Sequence, residues 1–161
     1  MKTVFEGGCL CGAVRYRLTS PPVIAGSCHC RTCRKASSAP ELPFAQFPSA
    51  VFTLTKGYPA NYRSSAPVTR SFCRHCGSPL TYRHDAKPDF MDVMICSLDD
   101  PDAIAPTFHV WASHKPRWAM IADGLPAHET TRQTALHRRV SASRSSRPAP
   151  TTLTRSSGHR R

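Results

Sequence analysis

Hydrophobic and polar residues alternate with a period of two in several short runs along the first two thirds of the chain. The runs occupy residues 14–18, 51–55, 91–96 and 107–111. Alternating runs rich in β-branched and aromatic residues are typical of strands with one buried face. Turn signals rich in proline and glycine separate them, and no stretch keeps a helical period over about twelve residues. The pattern therefore predicts a mostly-β fold of short antiparallel strands.

The positive charge of the chain is concentrated at its end. The 161 residues carry 22 Lys and Arg against 10 Asp and Glu, a formal net charge of +12. Seven arginines and no acidic residue lie between Gln133 and Arg161, which leaves 15 basic and 10 acidic residues before them. This end segment has too few large apolar residues to offset the entropy lost on ordering. We therefore predict one folded domain over residues 1–130 and a disordered, basic, Arg/Ser-rich tail over residues 131–161.

The basic tail has two interpretations. A segment rich in arginine and free of acids can contact nucleic acid or an anionic membrane. A solvated extension without any partner has the same composition, and it is the interpretation that we prefer for this segment.

The sequence contains no signal for a membrane span or for export. No run of about 18 apolar residues exists, which excludes a transmembrane helix. The segment Met1–Gly8 reaches an acid and two glycines before an apolar signal region can form, so we expect a cytoplasmic protein. In that reducing compartment, closely spaced cysteines hold metal more often than they form disulfides.

Two short cysteine clusters end in glycine, Cys9-Leu10-Cys11-Gly12 and Cys73-Arg74-His75-Cys76-Gly77. Two sulfurs on one tight turn can both reach a zinc ion about 2.3 Å away. The glycine after the second cysteine permits a left-handed backbone angle, which lets amides point at the thiolates. We predict that the clusters are halves of one closed, structural zinc site with the ligands Cys9, Cys11, Cys73 and Cys76.

A third cluster offers three thiols, Cys28, Cys30 and Cys33. Three protein ligands and one exchangeable position are the arrangement of a catalytic zinc. A fourth ligand from elsewhere would instead close the site, and the candidates are Cys96, His29 and His109. An iron–sulfur cluster is a further alternative, although the spacing does not match common ferredoxins. Spacing alone leaves the choice between an open and a closed site undecided.

Other residues near these clusters have simpler interpretations. Arg34 and Lys35 follow the third cluster directly, and beside an open zinc they would attract an anionic substrate. Cys96 lies in an apolar run and is interpreted as a small buried hydrophobic residue. His29, if it is not a ligand, is expected to point outward.

The clusters and their surroundings resemble one known family. The segments 7–16, 28–35 and 72–80, followed by residues 109–111, 115–118 and 123–126, are similar in order and spacing to the signature of the glutathione-dependent formaldehyde-activating family. This domain is also the centromere protein V-like domain, which occurs on chromatin in animals, so the fold does not fix the function. The resemblance runs from about residue 5 to 127 and stops before the basic tail.

The resemblance implies a β-tent fold of small antiparallel sheets stapled by two zinc ions. It assigns Cys9, Cys11, Cys73 and Cys76 to the structural zinc, and Cys28, Cys30 and Cys33 to the catalytic zinc. It also implies a carbon–sulfur lyase that forms S-hydroxymethylglutathione from formaldehyde and glutathione. In that reaction we expect Arg34 and Lys35 to help attract the glutathione carboxylates. The family usually has glycine at the position of Ser38, and serine there would be strained in a left-handed turn.

The leading hypothesis is thus a cytoplasmic zinc enzyme acting on a small-molecule thiol or thiol–aldehyde adduct. The alternative is a non-enzymatic, zinc-stabilised binding module whose basic tail contacts nucleic acid. Binding through the tail would depend strongly on salt, because each neutralised phosphate releases counterions.

Overall fold

The computed structural model describes residues 3–132, which contain ten strands and one α-helix. The strands are β1 Phe5–Gly8, β2 Arg15–Leu18, β3 Ile24–Cys28, β4 Leu42–Pro48, β5 Phe52–Lys56, β6 Ala60–Ser65, β7 Val68–Phe72, β8 Pro79–His84, β9 Phe90–Met94 and β10 His109–Val110, and the helix is α1 Arg31–Ser37. The predicted mostly-β fold is confirmed. Apart from residues 131 and 132, the predicted tail and its nucleic-acid contact lie outside the described residues, and the domain boundary stays a prediction.

The strands form two sheets. One has three strands in the order β1-β2-β5, and the other has seven in the order β10-β3-β4-β9-β8-β7-β6. All neighbouring strands are antiparallel except β10 and β3, which pair in parallel with His109 opposite Ser27. The expectation of antiparallel sheets is therefore correct apart from this pair. A long connection separates β3 from β10, and only a long connection permits parallel pairing.

The alternating runs locate four of the strands and miss six. The runs 14–18 and 51–55 correspond to β2 and β5. The run 91–96 is a strand only as far as Met94, where the chain enters a 3-10 turn over Ile95–Ser97. Only two residues of the run 107–111 are extended. The others were missed because they lack clean alternation; β4, for example, has prolines at its second and last positions.

The main core lies around Tyr16, whose side chain is almost completely buried with Leu18, Phe47, Leu80 and Val93. The Tyr16 hydroxyl is 2.7 Å from Ser97 Oγ, so its polar end is satisfied inside the core. A Cβ atom on Gly7 would lie 2.5 Å from that hydroxyl, which excludes a side chain there. The backbone of β1 can therefore pass this close to the Tyr16 ring only with a glycine at position 7.

A second, smaller apolar cluster joins α1 to the end of the seven-stranded sheet. Its buried members are Cys28, Cys33, Leu42, Met94, Phe108 and Val110. They come from α1, from β3, β4, β9 and β10, and from the segment just before β10. The cluster fixes the helix over the ends of these strands, where two of the predicted metal ligands lie. Among the described residues, no helix has the length and apolar character to cross a bilayer.

The helix ends in a strained residue. Ser38 follows α1 with φ 52° and ψ 34°, a left-handed conformation, and its amide donates to the Arg34 carbonyl. This is the position at which the resemblance predicts glycine. A Cβ atom in this conformation costs roughly 1 kcal/mol, which a glycine avoids.

Replacing Ser38 with glycine is expected to raise the free energy of unfolding by about 0.5–1 kcal/mol, because it relieves the left-handed strain against a smaller entropic cost. Chemical denaturation measures this change. The matched control is Ser37→Gly at the last residue of α1, where glycine should lower the free energy of unfolding because it also removes the hydroxyl that donates to the Cys33 carbonyl. If both variants shifted it in the same direction, the strain at Ser38 would not be the cause.

Candidate metal and substrate site

The two cysteine clusters that end in glycine meet in space. The sulfur atoms of Cys9, Cys11, Cys73 and Cys76 all lie within 4.8 Å of one another. Cys9 Sγ is 3.6 Å from Cys11 Sγ, which is 3.8 Å from Cys73 Sγ. A tetrahedral zinc with Zn–S bonds of about 2.3 Å needs sulfurs about 3.8 Å apart. The four thiols can therefore hold one metal ion, and their spacing fits zinc.

The two turns that carry these thiols have the predicted backbone. Gly12 and Gly77 have φ of 69° and 74°, which confirms the left-handed angle expected after each second cysteine. The Val14 amide donates to Cys9 Sγ at 3.2 Å, so a main-chain group does point at a ligand. Hydrogen bonds from the Ser78 hydroxyl and amide lower the pKa of Cys76 to about 5. This shift favours the thiolate form of Cys76, which is the form that binds metal.

The cluster of three thiols forms a separate group at the end of β3 and in α1. Its members Cys28, Cys30 and Cys33 also have their sulfur atoms within 4.8 Å of one another. Hydrogen bonds among them raise the pKa of Cys28 and lower that of Cys30. The Cys33 amide donates to Cys30 Sγ at 3.3 Å, which caps α1 and orients that sulfur. This donor set also fits a metal ion, while the identity of the metal stays a prediction.

Within residues 3–132, no fourth Cys, His, Asp or Glu joins the three-thiol group. The interpretation of Cys96 as buried is wrong, because the strand ends at Met94 and the 3-10 turn that follows exposes the thiol. The expectation that His29 points outward is also wrong, since it is only 2% exposed. Side chains alternate along an extended chain, so the ring of His29 lies opposite the two flanking thiols and contacts His109.

The three thiols open into a small cavity of about 170 Å³. The other side chains that line it include Phe44, Arg70, Tyr82, Asp92, Val110 and Trp111. Several of its residues also line a neighbouring cavity of about 550 Å³, namely Thr32, Leu42, Arg70 and Met94. The larger cavity has the volume of a small-molecule site. The thiol group thus lies in a small cavity that adjoins one with room for a molecule the size of a short peptide.

Arg34 and Lys35, the two cations that follow the cluster of three thiols, have different positions. Lys35 lines the larger cavity. The guanidinium of Arg34 instead donates to the His29 carbonyl at 3.1 Å, on its own backbone. Sequence reasoning missed the cation that lines both cavities, Arg70, which donates to Cys33 Sγ at 3.6 Å. No motif marks this arginine.

A row of side chains across the sheet explains how Arg70 reaches the cavity. It pairs with Tyr82, Tyr82 pairs with Asp92, and Asp92 pairs with Gln46, across β7, β8, β9 and β4. The Arg70 guanidinium also lies 5.0 Å from the centre of the Tyr82 ring. Paired residues of neighbouring strands share one face, so the register brings all four side chains to the same side.

Asp92 is the acidic member of this row. Burial raises the pKa of its carboxyl to about 6, although Gln46 Nε2 donates to it at 3.1 Å and opposes the rise. A carboxyl with this pKa exists in both protonation states near neutral pH. Asp92 can therefore take up or release a proton inside the small cavity.

Trp111 also lines the small cavity, and it does so in a strained conformation. Its φ of 58° is rare for a bulky residue. The strained backbone is held by a hydrogen bond of 2.8 Å from its amide to the Thr130 carbonyl, and the ring stacks on His114 at 5.0 Å. Strain of this kind is typically kept where it places a functional side chain.

The sequence model of the family described as "glutathione-dependent formaldehyde-activating enzyme" matches residues 4–114. The chain belongs to this family. The match includes all seven clustered cysteines, Arg70, Asp92 and Trp111. The resemblance seen in the sequence is thereby confirmed.

Two curated relatives and one solved structure are similar to this family member. An uncharacterized lyase of Schizosaccharomyces pombe is 31% identical over 115 residues, covering 61% of this chain and 82% of that protein. A Halomonas elongata protein, provisionally named as a glutathione-dependent formaldehyde-activating enzyme, is 28% identical over 127 residues, covering 73% and 81%. A crystal structure of a Rhodobacter sphaeroides protein has a TM-score of 0.50 and 23% identity, covering 63% and 91%, and supports the fold alone.

The raised pKa of Asp92 predicts a specific dependence of stability on pH. In the unfolded chain the carboxyl ionises near its ordinary pKa of 3.8, whereas in the folded protein it stays protonated until about 6. The wild type therefore loses stability as pH rises through this interval. Asp92→Asn abolishes the loss, so the stability of the variant relative to wild type should increase by about 1–3 kcal/mol between pH 4 and pH 7.

Denaturant titrations across this pH range, at constant metal content, measure the difference. Asp89→Asn is the matched control, because Asp89 is an exposed aspartate just before the same strand. Its stability curve should run parallel to that of the wild type. A parallel curve for Asp92→Asn as well would show that burial does not raise the pKa of Asp92.

Proposed function

We propose that this protein is a zinc-dependent carbon–sulfur lyase that forms S-hydroxymethylglutathione from glutathione and formaldehyde. Family membership and the lyase and formaldehyde-activating names of the relatives support the reaction class. The observation that carries the proposal is the group Cys28, Cys30 and Cys33, which opens into a small cavity that adjoins a peptide-sized cleft. The cytoplasmic location of the protein stays a prediction.

We propose zinc in both cysteine groups. The four-thiol group would tie the turn between β1 and β2 to the turn between β7 and β8 and would staple the fold, since four ligands leave no open position. In the group of three, zinc would supply a weak Lewis acid with one exchangeable position. Two nearby donors support that second group, Arg70 on Cys33 Sγ and the Cys33 amide on Cys30 Sγ, because outer contacts of this kind orient metal ligands.

The larger cavity suits glutathione by charge as well as by volume. Glutathione is a tripeptide with two carboxylates and one ammonium group, so it carries a net negative charge. Lys35 and Arg70 both line the cavity and would attract the carboxylates. The small cavity beyond Arg70 has room for the thiol end of glutathione and a one-carbon aldehyde.

The reaction moves one proton and changes no oxidation state overall. The glutathione sulfur bonds to the carbonyl carbon of formaldehyde, the carbon–oxygen π bond breaks, and the proton lost by the thiol ends on the new hydroxyl oxygen. Asp92 would accept and return this proton, because its pKa of about 6 lets it do both near neutral pH. The same steps in reverse release formaldehyde from the adduct.

The activity is tested by NMR exchange spectroscopy, which measures the interconversion of formaldehyde with S-hydroxymethylglutathione. The zinc-loaded wild type should accelerate the exchange, and Cys30→Ser should lose at least 100-fold of that acceleration along with one equivalent of zinc. Cys96→Ser is the matched control, because it removes an exposed thiol outside both groups. An exchange rate that zinc-loaded protein leaves unchanged would refute the proposed reaction, and full activity in Cys30→Ser would refute the proposed site.

Binding of glutathione is tested by comparing the two adjacent cations. Lys35→Ala should raise KM for glutathione roughly three- to tenfold, with kcat nearly unchanged, because it removes one attraction in the cleft. Arg34→Ala should instead lower the free energy of unfolding and leave KM unchanged, since its guanidinium is bonded to the His29 carbonyl. Steady-state kinetics and chemical denaturation separate the two effects. Equal KM values for Lys35→Ala and wild type would show that Lys35 does not contribute to the binding of glutathione.

A further inference from the structure

A third cluster of ligand-type side chains lies on the other side of the segment that carries Cys28 and Cys30. It consists of His29 from that segment, Glu41 just before β4, and His109 at the start of β10. None of the three has a role in the proposed reaction. His29 and His109 are almost fully buried, with 2% and 4% of their surface exposed.

We propose that His29, Glu41 and His109 form a further binding site for a divalent transition-metal ion, with a ligand set that suits zinc. The site is distinct from the two cysteine groups and does not depend on the proposed lyase function. Two imidazoles and one carboxylate are a well-known set of three zinc ligands, leaving one position for water or another small ligand.

The spacing of the ligand atoms fits such an ion. His29 Nε2 is 2.9 Å from His109 Nδ1, and Glu41 Oε2 lies 3.2 Å from the first nitrogen and 3.4 Å from the second. Zinc bonds to nitrogen and oxygen are about 2.0–2.1 Å long, so two ligands of a tetrahedral ion are about 3.3 Å apart. The three atoms thus form nearly one face of the required tetrahedron, without movement of the backbone.

A carboxylate behind one of the ligands orients it. His109 Nε2 donates to Asp123 Oδ2 at 2.8 Å, and the Leu125 amide holds the other carboxylate oxygen at 3.1 Å. This hydrogen bond places the proton of a neutral His109 on Nε2 and leaves the Nδ1 lone pair directed at the cluster. A carboxylate, a histidine and a metal in sequence are the usual arrangement around zinc-binding histidines.

Without an ion, the cluster leaves a polar atom unsatisfied. A direct hydrogen bond between the two rings uses His29 Nε2 and His109 Nδ1. Glu41 Oε2 is then buried with no hydrogen-bond partner among the described residues, and so is His29 Nδ1. Burying a carboxylate oxygen without a donor is costly. An ion accepts the lone pair of Glu41 as well as those of both rings, which removes the larger of the two costs.

The site also has a route from solvent. The Glu41 side chain is 37% exposed, and the residue lines a cavity of about 420 Å³ together with Ser37, Ala39 and Pro43. The cavity that contains the three thiols is lined by different residues, with only Leu42 and Met94 in common. The larger cavity likewise shares only Leu42, Pro79 and Met94 with the cavity at Glu41, so an ion can reach Glu41 without passing through the proposed substrate cleft.

The test uses the full chain titrated with cadmium and observed by ¹¹³Cd NMR, because thiolate ligands and nitrogen or oxygen ligands give resonances in well-separated regions. The wild type should show, beyond its thiolate-bound cadmium, one resonance in the nitrogen/oxygen region. Glu41→Gln should weaken binding at that site at least tenfold, and Asp123→Asn should weaken it about 10–100-fold. Both variants should keep the thiolate resonances unchanged, which shows that they are folded.

Glu6→Gln is the matched control, because Glu6 is an exposed glutamate paired with Arg17 on the surface. It should leave all resonances and affinities as in the wild type. A saturated wild type with thiolate-bound cadmium only would overturn the proposal. The proposal would also be overturned if Glu41→Gln showed the nitrogen/oxygen resonance with the cadmium affinity of the wild type, since the ion would then be bound at other histidines.

Discussion

Main-chain hydrogen bonds hold the segment Cys28–Cys30 extended between two neighbours. On one side, Cys28 pairs with Leu42 of β4. On the other side, the Ser27 amide donates to the carbonyl of Phe108, just before β10, at 2.9 Å, and the His29 amide donates to that of Val110 at 3.0 Å. Successive side chains of an extended chain point in opposite directions. The two thiols therefore meet Cys33 in α1, while the ring of His29 between them contacts His109. Both clusters at this end of the sheet depend on that extended conformation.

The chemistry of the thiol cavity depends on strand register in the same way. Arg70, Tyr82, Asp92 and Gln46 are neighbours on four adjacent strands, and a slip of one residue in any pairing would turn part of the row to the opposite face. Three thiolates and one divalent ion would leave a net charge of −1, which the Arg70 guanidinium offsets through its contact with Cys33 Sγ. The row thus brings a positive charge and a proton-carrying carboxyl to the same small volume.

The sequence was informative where the chemistry is local. Cysteines two or three residues apart share one turn, so the grouping of the thiols within each cluster followed from their spacing. The left-handed angles of Gly12 and Gly77 followed from the glycine after each second cysteine. Residues brought in by long-range pairing carry no such signal, which is why Arg70 and Asp92 were missed. His29 and His109 were considered as ligands of the three-thiol group, whereas they belong to a cluster of their own. The reason is that spacing does not tell on which side of an extended segment a ring lies. Cys96 was misjudged because its apolar neighbours do not reveal where β9 ends.

The two sides of the segment Cys28–Cys30 differ in ligand type, and zinc, a borderline ion, suits both. Thiolates are soft ligands, whereas imidazole and carboxylate groups are harder and bind zinc without sulfur. The shared backbone nevertheless couples the two sides. The His29 carbonyl accepts a hydrogen bond from Arg34, and Cys30 caps the same helix through the Cys33 amide. A change that displaced the His29 backbone would therefore move the peptide that carries two thiols, whereas an ion that fits the three ligand atoms where they lie leaves the thiols in place.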